Sequence, residues 1–170
     1  MKKRSGIWIL CILIVLAVCI GLLAWLNAPD RSPDDGALTV LQDGELLRSF
    51  SMDEIYAMDY IEVEKEIVSS SHEDDIGLFR GVPLRDILTA ANSGIADSAV
   101  QIVARAEDGF VTVYNAEEVF ADANIFVSYA KDGRDLGTLQ DGGSGPLRVI
   151  LIADEFGNRS TKYLYELEVR

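Results

Sequence analysis

The chain has 170 residues, 49% of them hydrophobic, and a formal net charge of −13. All 28 acids lie from Asp30 onward, while three of the 15 bases (Lys2, Lys3 and Arg4) sit at the very start, so residues 27–170 carry −16. The length excludes a large multidomain enzyme. The absence of clustered bases outside the N-terminus excludes nucleic acid as a partner, and apolar segments recurring as far as Val169 exclude disorder of the bulk.

Residues 1–6 form a short basic segment, and residues 7–26 an uncharged apolar run bracketed by Trp8 and Trp25. A helix needs about 20 apolar residues to cross the hydrocarbon core, and tryptophan suits both interfaces. The run is longer than the core of a cleaved signal peptide, and Leu26-Asn27-Ala28 puts a large residue where cleavage prefers a small one. The expectation is an uncleaved single-pass anchor in the cell membrane, with Lys2, Lys3 and Arg4 in the cytoplasm and everything after Leu26 outside. Cys11 and Cys19 both fall inside the run, so the outer domain has no disulfide, thiolate ligand or cysteine nucleophile.

Residues 27–36, with two prolines, a glycine and four charges, read as a linker. The outer domain, 37–170, opens with strands at 37–41 and 45–50 around Asp43-Gly44, a hairpin signal. Ser51 and Glu54 match a capping box that starts a short helix to about Met58. Alternation of Ile61, Val63 and Ile67 with Glu62, Glu64 and Glu66 predicts a half-buried strand over 60–68. Pro83 suits the first turn of a helix to about Asn92, with Leu84, Ile87 and Leu88 at helical spacing. Strands are expected at 100–104 and 110–114 about Asp108-Gly109, then a short helix from Asn115, with Glu118 as its box partner, to Phe120. Further strands are expected at 125–130, 147–153 and 161–169, the last with Tyr163, Tyr165, Leu167 and Val169 on one face. The class is α+β, mainly β.

Common catalytic constellations are missing. Gly142-Gly143-Ser144-Gly145-Pro146 puts Pro146 where a nucleophile elbow needs glycine, and His72 is the one histidine. No phosphate-binding loop, dinucleotide fingerprint or EF-hand spacing occurs. Asn158-Arg159-Ser160 fits a glycosylation sequon. His72 lies in the polar run Ser69-Ser70-Ser71-His72-Glu73-Asp74-Asp75, which reads as a solvated loop or as the mouth of a pocket. No metal site is expected from one histidine and two nearby acids.

Three stretches carry a resemblance. They are Phe79-Arg80-Gly81-Val82-Pro83-Leu84, Ala106-Glu107-Asp108-Gly109-Phe110 with Glu117-Glu118, and Asp132-Gly133-Arg134-Asp135-Leu136 followed by Gly143-Ser144-Gly145-Pro146-Leu147-Arg148. Their order resembles the sulfite oxidase-like molybdopterin-binding domain, over about 37–170, and implies that fold. In catalytic members a cysteine thiolate binds molybdenum on the loop that corresponds here to 69–75, where this chain has serines and no cysteine. The resemblance therefore implies a non-catalytic extracytoplasmic module that binds a pterin or molybdopterin-like molecule without molybdenum and that passes ligand state to a membrane protein partner. The candidate ligand-binding residues are Arg80, Asp108, Tyr114, Ser144, Arg148 and His72, with no catalytic residue assigned. Two alternatives stay open: a ligand-free structural or protein-interaction domain, and a molybdenum-cofactor oxidoreductase.

Overall fold

The N- and C-terminal strands of the outer domain lie side by side. β1 (Leu38–Gln42) pairs in parallel with β10 (Leu164–Val169), Val40 against Leu167, and antiparallel with β2 (Glu45–Phe50). The β1–β2 turn places Asp43 and Gly44 both at positive φ, 51° and 84°, the conformation that an Asp-Gly hairpin supplies at low cost. β10 pairs next with β5 (Gln101–Ala106), and β5 with β6 (Val111–Asn115), giving the order β2-β1-β10-β5-β6.

The second sheet runs β3 (Ile61–Ile67), β4 (Asp75–Pro83), β7 (Ile125–Lys131), β8 (Arg134–Asp135), with β9 (Arg148–Leu151) also paired to β7. The computed structural model describes residues 13–20, 37–68, 75–121 and 124–170. These fall in two units, 1–34 and 35–170. In the first, residues 13–20 form a helix, α1. No helix among the described residues is long and apolar enough to cross a membrane. Of the span expected over 7–26, residues 7–12 and 21–26 lie outside the described residues.

Both sheets of the second unit contribute to one core: Leu38, Val40, Ile102, Leu164 and Leu167 from the first, Val82, Val127, Val149 and Leu151 from the second. Two short helices help to close it. In α2 (Met52–Tyr56) the Ser51 and Glu54 side chains cap each other's backbone N–H as expected, and Ile55 is buried. In α3 (Leu84–Ala91), Pro83 precedes the first turn, and Leu84, Ile87 and Leu88 bury one face. α4 (Ile95–Ser98) follows, and α5 (Ala116–Phe120) comes after β6.

Three local expectations are corrected. Asn115 makes no side-chain cap at α5, and Glu118 pairs with Arg159 instead. Tyr163 is not in the last strand: its φ is 55°, and a register shift between Leu164 and Glu166 brings Leu164 into the core. β4, a nine-residue strand, occupies a stretch where the sequence predicts no strand. Gly77 and Gly81 interrupt its alternation, and a Cβ on Gly81 would overlap the backbone of Val127 and Ser128, at a register shift in the β4–β7 pair.

Candidate functional site

Successive strand residues point to opposite faces of a sheet. In the β3–β4 pair, Val63 lies opposite Phe79, Lys65 opposite Gly77 and Ile67 opposite Asp75. These side chains share the face turned away from the main core. There Ile67, Phe79, Phe126 and Ile150 form a second, smaller apolar cluster, with Ile61, Val63 and Ile152 against it.

Polar groups gather around this cluster. Arg148, at the start of β9, is only 2% exposed, and its guanidinium stands 5.7 Å from the Phe79 ring centre. Its Nη1 donates to Asp75 Oδ2, and its Nε donates at 2.9 Å to Ser160 Oγ, which in turn donates to the Val149 carbonyl. Lys131 Nζ reaches the other Asp75 oxygen and lies 5.6 Å from the same ring. It does so by running across Gly77, where a Cβ would overlap Lys131 Cε. The Asp132 carboxylate sits beside Gly77 as well and accepts the Leu78 N–H at 2.9 Å. Lys65 Nζ donates to the carbonyls of Ile152 and Asp154. Burial alone would raise the Asp75 carboxyl, but hydrogen bonds and charge from Lys131 and Arg148 outweigh it and hold the pKa below its ordinary value.

The segment 154–161 closes one side. Val68 bridges to Phe156, and Thr161 to Val149. Arg159 clamps this segment to α5, binding both Asp154 and Glu118, and these hydrogen bonds raise its pKa. Between the segment and the sheet lies a small cleft, partly open to solvent and with a volume of about 10 Å³, lined by Lys65, Ile67, Ile150, Asp154, Phe156 and Ser160. Phe156 is 51% exposed at its rim. Ser160 lines the cleft and accepts from Arg148, which ties the cleft wall to the ion cluster.

The residues singled out in the sequence do not converge. Arg148 is in this ion cluster. Arg80 is on the opposite face of β4, where it pairs with Glu62 at 2.7 Å, directly across the β3–β4 pair, and stacks over Tyr60 at 4.8 Å. Asp108 is in the β5–β6 turn of the other sheet, its carboxylate accepting the Phe110 N–H. Tyr114 is fully buried: its hydroxyl donates to the Arg159 carbonyl at 2.8 Å and meets Thr161 Oγ1 at 3.0 Å, and burial pushes its pKa up to about 12. Its side chain faces the core and offers no surface to a ligand. Ser144 lies in the loop before β9, its N–H donating to the Leu136 carbonyl at 2.9 Å, beside Gly143, whose carbonyl accepts from Tyr163. His72 lies outside the described residues.

Lys131, Lys65 and Phe156 are not among the residues the sequence singles out, and Asp75 and Ser160 enter it only as the end of the polar run 69–75 and of the sequon. One signal called for a carboxylate without naming it: Arg148 stands inside the apolar run Leu147-Arg148-Val149-Ile150-Leu151, and a strand buried at every residue must supply its arginine with a counter-ion.

The two-sheet, mainly β architecture is that of the sulfite oxidase type. The chain superposes on the sulfane dehydrogenase SoxCD from Paracoccus pantotrophus with a TM-score of 0.63, at 16% identity, over 84% of this chain and 40% of that one. At that identity the likeness shows the fold alone, and the chain spans less than half of that larger one. Residues 26–170 match the family model of the oxidoreductase molybdopterin binding domain, and the chain belongs to that family. No curated protein matches it in sequence.

The residues present do not fit molybdenum. The described surface offers carboxylate, ammonium, guanidinium and hydroxyl groups, and the only cysteines of the chain are Cys11 and Cys19 in the N-terminal unit. In sequence, residues 69–75 hold serines, a histidine and acids but no thiolate, the soft ligand such a metal takes. Among the described residues, no three His, Cys, Asp or Glu side chains are placed to hold a metal ion.

Proposed function

We propose that the outer domain is a non-catalytic binding module for a flat polar heterocycle of the pterin type, held at the Asp75–Lys131–Arg148 cluster and the adjoining cleft. The observation that carries this reading is Arg148, a guanidinium 2% exposed and tethered by Asp75 and Ser160 beside a cleft with a half-exposed phenylalanine at its rim. A pterin has a donor–acceptor edge that fixed carboxylate, hydroxyl and cationic groups can read, and a face that stacks on an aromatic ring. Membership of the molybdopterin-binding family, without a thiolate for the metal, supports binding of the organic part of such a ligand. The apolar run at 7–26 and the basic residues before it support anchorage in the cell membrane with the domain outside and in reach of a membrane partner.

A second reading is a ligand-free interaction domain. It is favoured by the cleft's volume, about 10 Å³ against the roughly 300 Å³ at which small-molecule sites begin, and by the internal pairing of both Arg80 and Arg148. Denaturing the full-length chain purified in detergent separates the two readings. Release of a fluorescent heterocycle, restored on adding a pterin back to refolded protein, supports the binding module. Absence of any bound or rebinding pterin supports the second reading.

A further inference from the structure

Sheet edges expose unpaired N–H and C=O groups, and folded proteins protect them with charge, proline or a cover. This chain does so at most of its outer strands: β2 carries Glu45 and Arg48, β3 carries Glu62, Glu64, Lys65 and Glu66, and β8 is Arg134-Asp135. β6, the last strand of the first sheet, is Val-Thr-Val-Tyr-Asn, with no charge and no proline. Among the described residues no strand pairs with its far side.

The backbone of this edge is regular. Ala106 N–H donates to the Phe110 carbonyl and Ala116 N–H to the Val100 carbonyl, and the β5–β6 register has no shift between them. The bonds to β5 therefore fall on even-numbered residues, and the N–H and C=O of Val111 and Val113 point outward. Their side chains are 50% and 49% exposed, with Phe110 and Val100 also exposed nearby.

We propose that β6 is a self-association edge: two copies of the chain pair antiparallel along β6, about a two-fold axis at Thr112, and join their five-stranded sheets into one. The second copy is the occupant because the edge complements itself. In this register Val111 lies opposite Val113 of the second copy and Val113 opposite its Val111, so the four outward groups of each strand are satisfied by four inter-copy hydrogen bonds. Both cross-strand pairs are β-branched, which favours pairing. No charged residue falls in the paired stretch 109–115, although each outer domain carries −14, and a two-fold contact of this kind closes at the dimer.

Sedimentation velocity on the full-length chain in detergent tests this, with crosslinking of Val111→Cys chains mixed with Val113→Cys chains in a Cys11→Ser, Cys19→Ser background. The expected result is a dimer that Val113→Lys converts to monomer with its unfolding midpoint retained. A short bis-maleimide should couple the mixed pair but not Leu46→Cys, exposed on the β2 edge. A monomeric wild-type chain overturns the proposal, as does a dimer that survives Val113→Lys. Coupling of Leu46→Cys as efficient as that of the mixed pair overturns it too. Should Val113→Lys fail to fold, the crosslinks alone decide.

Discussion

Replacing Asp75 by asparagine keeps the shape of the side chain and removes its charge. In the wild type one carboxylate serves both Lys131 and Arg148. Lys131, at 29% exposure, can turn to water, whereas Arg148 is buried and would keep only the Ser160 hydroxyl and one amide oxygen. Removing one partner of a fully buried ion pair costs about 3–5 kcal/mol. Asp75 is itself 30% exposed, which screens the pair, so the expected loss is about 2 kcal/mol at pH 7. For a domain of this size that is a fall of roughly 8 °C in melting temperature. The folded carboxyl has its pKa below the ordinary 3.8, so its stabilisation is full above that value and is lost as pH falls through the folded pKa. Urea unfolding of both proteins, followed by circular dichroism at pH 7 and again near pH 2, should therefore show a gap at pH 7 that closes in acid. A loss under about 0.5 kcal/mol at pH 7, or a gap that persists in acid, refutes the assignment of Asp75 as the shared counter-ion.

Three further substitutions separate core, scaffold and site. Tyr114→Phe removes a buried hydroxyl bonded to the Arg159 carbonyl and Thr161, and should cost about 1–2 kcal/mol in chemical unfolding while leaving pterin affinity unchanged. Arg80→Ala breaks an exposed pair with Glu62 on the face opposite Arg148, so both stability, within about 0.5 kcal/mol, and pterin titration should match the wild type. Gly81→Ala forces a Cβ into the backbone of β7, and thermal unfolding should show a loss above about 3 kcal/mol or no cooperative transition.

Where local chemistry decides structure, the sequence was readable. The Asp43-Gly44 turn, the Ser51–Glu54 box and the Pro83-led helix each depend on a few adjacent residues, and each formed as expected. β4 was not readable because its two glycines serve contacts with residues some 50 positions away: Gly77 makes room for Lys131, and Gly81 admits the β7 backbone. The ion cluster was not readable for the same reason. Asp75, Lys131 and Arg148 meet only through the β4–β7–β9 pairing, and nothing in the neighbourhood of any one of them names the others. The family resemblance held at the level of fold and family, and of the residues it named only Arg148 lies in the ion cluster. It did not place Arg80 beside it, since strand alternation from Phe79 turns Arg80 to the other face.

The most direct measurement is a fluorescence titration of a soluble pterin into the full-length chain in detergent at pH 7, beside Phe156→Ala. Phe156 is half exposed at the cleft rim, so its removal should leave the fold intact while taking away the stacking face. Saturable binding by the wild type that weakens at least tenfold in Phe156→Ala, a change of about 1.4 kcal/mol, is the result expected of a pterin-binding module. A wild-type chain that does not bind, or a variant that binds equally well, contradicts it.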